Sequence, residues 1–413
     1  MNCIRFFTAI CTAHFLSAPS FAQVKNDAFL QELLYRSASP FLKNVLDNKD
    51  TFQYQVIYTQ IDRDKRNKPS FKHYYLNVDR DRYFNPASTV KLPIVLAAFE
   101  KLNDLGIKGV DKCTVMLTDS AWSGQSAVAS DPSAANGLPS VAHYAKKIFL
   151  VSDNDAYNRL YEFVGQETLN QTLWRKGYTG TRITRRFVSM TPEENRHTNP
   201  IRFISEGQVV YQQPARYSKV TFDTSKKIFI GRAHYNRNEV LVPAPMDFTQ
   251  HNNLPLEDLQ GMLQSVLFPQ SVRKKQRFRL TDDDYCFLYQ YMAMLPSQSR
   301  FPNYDTTEFF DSYTKFLFKD RKGKIPSHLR ILNKTGWSYG FLTDASYVID
   351  LENKVEYMIT AVIYVNKDGV LNDNKYEYTE VGYPFFGEIG RILHRHELSR
   401  PRKYRPDFLR FTH

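Results

Sequence analysis

The run Phe84-Asn85-Pro86-Ala87-Ser88-Thr89-Val90-Lys91 decides how this chain reads. It leads into a segment apolar at helical spacing, through Val90, Ile94, Val95, Ala98 and Leu102, and Gly106 closes that segment. Ser88 therefore stands at a helix start, with Lys91 three residues on and on the same face. An amine held there reaches the hydroxyl, and either lowers its pKa or takes its proton when neutral. The helix N-terminus also turns backbone N–H groups toward a developing oxyanion. Pro93 falls near the first turn, where its missing N–H costs least.

The same serine-to-lysine spacing recurs at Ser271 to Lys274 and at Ser312 to Lys315, and both read as chance. Ser88 is singled out by its company. Ser152-Asp153-Asn154 follows it, and Lys334-Thr335-Gly336 opens a later strand. Each triplet has a plainer reading, a helix cap for the first and a strand end for the second.

Working outward, residues 26 to 47 alternate at helical spacing (Phe29, Leu33, Leu34, Phe41, Leu42, Val45), and Phe52 to Ile61 and Phe71 to Val78 read as a hairpin. Two late helices are expected, one begun by Pro255 with Leu256, Leu259, Leu263, Val266 and Leu267 on one face. The other spans Thr281 to Met294, with a capping-box-like Thr281 and Asp284. His328 to Asn333, Ala345 to Asp350 and Val355 to Val365 read as three strands, and Phe386 to Leu398 as a closing helix. Helices segregated from an antiparallel sheet give an α+β, three-layer architecture. Residues 206 to 245 read as an inserted β-arm, with short strands at Val209-Val210-Tyr211, Val220-Thr221-Phe222, Ile228-Phe229-Ile230 and Val240-Leu241-Val242.

With 413 residues, 42% hydrophobic, the chain has ample material for one large domain. Residues 1–22 read as a signal peptide: Arg5, an apolar run from Phe6 to Leu16, then Ser20-Phe21-Ala22 before the cut. The apolar run is well short of the ~20 residues a membrane span needs, so the mature chain carries no transmembrane segment and is periplasmic or secreted. A formal charge of +12 suits an anionic envelope or anionic substrates better than nucleic acid, which an exported protein rarely meets. Cys113 and Cys286 remain after cleavage and read as free, buried thiols. No residue spacing points to a metal or another cofactor. Residues 399–413 form a basic tail that packs its few aromatics.

Taken together the three triplets resemble the signatures of class A β-lactamases and penicillin-binding serine hydrolases. The likeness extends to Asp155 to Gly165 after the second triplet and to Tyr339-Gly340 and Thr343-Asp344-Ala345 after the third. It implies a domain over 23–398: a five-stranded antiparallel sheet flanked by helices, and a helical part at about 88–327. It implies that Ser88 is acylated, Lys91 activates it, and Ser152 relays a proton to the leaving group. Asn154 then holds the substrate side-chain amide, and Lys334 and Thr335 meet its carboxylate. Gly336 belongs to the same triplet, and Trp337 shares the oxyanion hole with Ser88 through their backbone N–H groups.

The resemblance departs at the glutamate that activates the deacylating water. In the family it follows an arginine and a spacer, with an asparagine four places after it. Here the segment Arg185 to Asn199 holds Glu193 and Glu194, and neither has that asparagine. Two readings stay open: Glu194 does the job with Asn199 in support, or both glutamates are surface charges. The chain is thus expected to be a β-lactam hydrolase. The alternatives are a D-Ala-D-Ala peptidase or other envelope amide or ester hydrolase acting on peptidoglycan-derived peptides, and a non-catalytic envelope-binding protein.

Overall fold

The computed structural model describes residues 23–411 except Ser123, Lys322 and Gly323. The expected signal peptide, residues 1–22, lies outside the described residues.

The central sheet is built from β1 (Gln55–Arg63), β2 (Pro69–Leu76), β3 (Leu329–Ser338), β4 (Phe341–Asp350) and β5 (Val355–Tyr364). Its order is β3-β4-β5-β1-β2, with every neighbouring pair antiparallel. All ten residues of β4 and of β5 are buried, as central strands covered on both faces require. β2, at one edge, alternates between half-buried and buried positions in its second half, and β3, at the other edge, carries the Lys334 triplet.

Helices cover both faces. On the first pack α1 (Ala28–Ser37), α2 (Pro40–Asp47) and the C-terminal helix Tyr383–Ser399, in one apolar cluster with Val56, Tyr58, Val348 and Ile359. The helical run expected over 26–47 is broken because Ser39 caps a new helix, accepting the Leu42 N–H, and Pro40 begins it.

On the second face lie α3 (Lys91–Leu105), α4 (Val141–Val151), α5 (Asn154–Val164), α6 (Gln166–Arg175), α7 (Leu256–Leu267) and α8 (Asp282–Ala293), around the largest cluster. Eleven residues of α3 are buried, on all its sides, so it is the hub of this layer. Gly106 ends it at φ +59°, and the Thr281–Asp284 capping box starts α8, both as the sequence indicates.

Three expectations need revision. The β-arm is less regular than its apolar triplets suggest. Gln208–Gln213 joins a small sheet with Val115–Thr118 and Ile201–Ser205, and the later strands are only two or three residues long. Val220-Thr221-Phe222 is not a strand, because the Val220 carbonyl accepts from Arg196 and the Phe222 ring lies edge-on to Trp174. Cys113 and Cys286 are free but exposed. Cys286 sits on the side of α8 away from Leu288, Tyr289 and Met292, which make its buried stripe.

The tail is pinned by Arg400 to Asp62 (2.6 Å) and by the burial of Phe408 and Phe411. No helix among the described residues is long and apolar enough to cross a membrane.

Candidate functional site

Three elements bring the sequence triplets together. Ahead of α3, Ala87–Val90 forms a 3-10 turn that presents Ser88, which is half-buried. The turn is held by Asn85, whose Oδ1 accepts the Ala87 N–H at 2.9 Å, and by Thr89, whose hydroxyl donates to the Pro86 carbonyl at 2.6 Å. Ala87 sits at φ +45°, a left-handed conformation that costs energy for a residue with a β-carbon. Strained backbone of this kind clusters at functional sites.

Ser152-Asp153-Asn154 is the joint between α4 and α5. Ser152 closes α4 at φ +62°, and Asp153 caps α5 by accepting the Ala156 N–H at 2.8 Å. The capping reading of this triplet is therefore correct, and it coexists with a second role. The tight joint turns Ser152 and Asn154 toward Lys91.

Lys91 is fully buried and donates to the Ser152 carbonyl, to Asn154 Oδ1 at 2.6 Å and, more weakly, to Ser152 Oγ at 3.4 Å. From β3, Lys334 donates to the same Ser152 Oγ at 2.9 Å and to the Thr335 carbonyl at 2.5 Å. The Ser152 hydroxyl thus bridges two buried amines. Gly336 lies directly against the Ser88 turn.

Burial dominates the electrostatics. It pushes Lys91 well below the ordinary lysine range, Lys334 pushes it further, and Asp153 opposes them. Burial likewise lowers Lys334 to about 7, opposed by Asp344. Burial raises Asp344 to about 6, against hydrogen bonds from Asn333 and Ser346. Behind them Lys315 is also fully buried and lowered to about 7. It donates to the carbonyls of Met292 and Ile331 and to Asn333 Oδ1, and Asn333 in turn donates to Asp344 at 2.8 Å. The spacing that brings Lys315 in, read as chance from the sequence, marks a second buried cation behind the first.

Thr335, within the triplet, and Trp337, just after it, turn their side chains away from the Ser152 cluster. The Thr335 hydroxyl is fully buried and donates to the Thr343 carbonyl at 3.1 Å. The Trp337 ring stands edge-on to Tyr313 on the outer face of the sheet.

Neither glutamate of the 185–199 segment joins the cluster. The Glu194 carboxylate accepts from the N–H and hydroxyl of Thr191, at 2.6 and 2.8 Å, and so braces its own loop. Glu193 is exposed beside His197 and Arg196. Asn199 accepts from the Ala121 N–H and makes no hydrogen bond to Glu194.

What that segment does bring to Lys91 is Phe187, whose ring centroid lies 4.7 Å from the ammonium. Phe187 is fixed by an edge contact to Tyr157 and by donation from its N–H to Asn158 Oδ1 at 2.8 Å. The preceding Arg186 is buried and paired with Glu162 at 2.7 Å. Sequence reading missed Phe187, and the signal available was only its place directly after an arginine.

Residues 38–212 match the family model described as the Beta-lactamase enzyme family. That span holds Ser88, Lys91, Ser152 and Asn154 and ends before Lys334. Among solved structures, a β-lactamase from Sphaerobacter thermophilus is 12% identical with a TM-score of 0.47, over 87% of this chain and 98% of that one. The TLA-1 extended-spectrum β-lactamase is 16% identical with a TM-score of 0.49, over 90% and 99%. PBP-A is 15% identical with a TM-score of 0.47, over 91% and 100%. No curated protein matches the chain.

Proposed function

We propose that this chain, similar over residues 38–212 to the Beta-lactamase enzyme family, is an exported serine hydrolase that works through an acyl-enzyme on Ser88. One observation carries the reading: Lys91, Ser152 and Lys334, buried, and Asn154 at the exposed edge, from three distant parts of the sequence, share one hydrogen-bonded cluster beside the Ser88 turn.

Burial makes the Lys91 amine give up its proton far more readily than an ordinary lysine, and it serves as the base that takes the Ser88 proton. Ser152, touching both amines, passes a proton to the departing nitrogen. Lys334 meets an anionic group of the substrate, whose arrival favours its charged form. The substrates of first choice are β-lactams, followed by D-Ala-D-Ala peptides and other envelope amides or esters.

A specific observation favours slow release of the acyl group. The side chain that the 185–199 segment lays over Lys91 is the Phe187 ring, while Glu194 is bound to Thr191. Without a carboxylate, the base for the second step is Lys91 itself. The test is turnover of a chromogenic cephalosporin with stopped-flow detection. A fast burst equal to the enzyme concentration and a slow steady phase support the reading, and no burst and no turnover count against it.

A further inference from the structure

Away from the Ser88 turn, the segment 182–196 and arm residues 221–251 enclose a cleft of about 500 Å³. Arg182, Arg185, Arg196 and Arg237 line it, and Asp247 is its one lining carboxylate. Several buried guanidinium groups elsewhere are matched by acids, as in Arg63 with Glu356 and Arg186 with Glu162.

Here they are not. Arg182 spends its donors on the carbonyls of His251, Asp223 and Thr249. Arg185 is bonded to His251 Nε2 at 3.0 Å, and Arg237 reaches the Met190 carbonyl only at 3.5 Å. Arg196 braces the carbonyls of Ser218 and Val220 and stands 3.9 Å from exposed Glu193. Among the described residues, Arg182, Arg185 and Arg237 form no salt bridge. Asp247 accepts from the Thr249 N–H at 2.7 Å, so its charge is already engaged. Burial, with Arg185 and Arg182, holds the His251 imidazole at about 3, so it accepts the Arg185 hydrogen bond as a neutral ring. The lining, four guanidiniums against one tethered carboxylate, carries an excess of positive charge, with Glu194 beside Arg237 and Asp223 beside Arg182 as acidic neighbours outside it.

We infer that this cleft binds an anionic organic ligand through a phosphate or carboxylate group held by Arg185 and Arg237. Planar guanidinium forks match either group. The cleft volume is that of a small-molecule site rather than of a bare ion, and Met190, Pro192 and Phe222 supply apolar wall for a ligand body. This site stands independently of the chemistry at Ser88.

The test is isothermal titration of the intact chain with inorganic phosphate, glucose 6-phosphate and citrate, with glucose as the uncharged control. Saturable one-to-one binding of glucose 6-phosphate or citrate, with none of glucose, is expected, and the tighter of the two identifies the anionic group. The double variant Arg185→Gln/Arg237→Gln should bind about tenfold more weakly or worse. Arg237 is exposed with one long backbone contact, so Arg237→Gln alone keeps the fold and should weaken binding about threefold if the double variant does not fold. No saturable binding of any of the three anions, or unchanged affinity in the folded variant, overturns the inference.

Discussion

A β-carbon placed on Gly336 would stand 2.6 Å from the amide nitrogen of Ser88, and 2.7 Å from that of Thr89. Both contacts are to backbone, which cannot swing aside. The edge strand and the nucleophile's turn are therefore packed as closely as a missing side chain allows. Gly336→Ala is expected to push the turn off β3 and to slow acylation by about 10²-fold, because misplacement by an ångström has that effect. Stopped-flow acylation, with thermal unfolding as the control for folding, checks this. An unchanged rate would show that the turn has slack.

Phe187 is expected to help keep the Lys91 pKa low by excluding water. Two effects oppose each other: the ring's attraction for a cation is worth about 0.5–2 kcal/mol, whereas desolvation of a fully buried group shifts pKa by up to about 3–5 units. Desolvation is the first cause at Lys91, so it wins. Phe187→Ala should therefore raise the Lys91 pKa and move the acidic limb of acylation to higher pH. A limb that moves to lower pH would reverse the assignment.

Lys334, held at about 7 by burial, is expected to give acylation its alkaline limb. Below that pH it is charged and attracts an anionic β-lactam; above it the attraction fades. The acylation rate constant for an anionic substrate should fall above pH 7, and a neutral ester probe should keep its rate there. Equal falls for both substrates would remove Lys334 from substrate recognition.

Glu194→Gln should change deacylation by less than about twofold, since its carboxylate braces Thr191 and loss of one such local hydrogen bond acts mainly on stability. Single-turnover decay of the acyl-enzyme measures this. A drop of about 10²-fold or more would restore Glu194 as general base.

Lys315 ties the site to the stability of the fold. Its folded-state pKa, about 7, lies below its unfolded value, so between pH 7 and 9 the unfolded chain binds more protons than the folded one. Stability from this group therefore rises with pH across that window. Urea unfolding at pH 7 and pH 9 should show a gain for the parent protein that is smaller in Lys315→Met.

Much of this was legible from short stretches. Ser88 with Lys91, Ser152 with Asn154, and Lys334 with Gly336 are each set by residues one to three apart, so local pattern sufficed to name them. The sheet was legible because its central strands β4 and β5 are buried at every position and rich in apolar side chains. Which residue of the 185–199 segment meets Lys91 was not legible. That is fixed by Arg186 pairing with Glu162 and by Asn158 holding the Phe187 N–H, contacts 24 and 29 residues apart in sequence. The Val220 triplet misled for a related reason: its Phe222 ring packs against Trp174 and its Val220 carbonyl accepts from Arg196, with no ladder partner.

The central claim is covalent chemistry at Ser88, and intact-protein mass spectrometry after exposure to benzylpenicillin tests it most directly. The account predicts a single adduct of the full penicillin mass, mapped by peptide digestion to Ser88, long-lived enough to isolate, and absent in Ser88→Ala. A protein that stays unmodified by benzylpenicillin and by every other acylating probe tried, or an adduct that persists in Ser88→Ala, would contradict it.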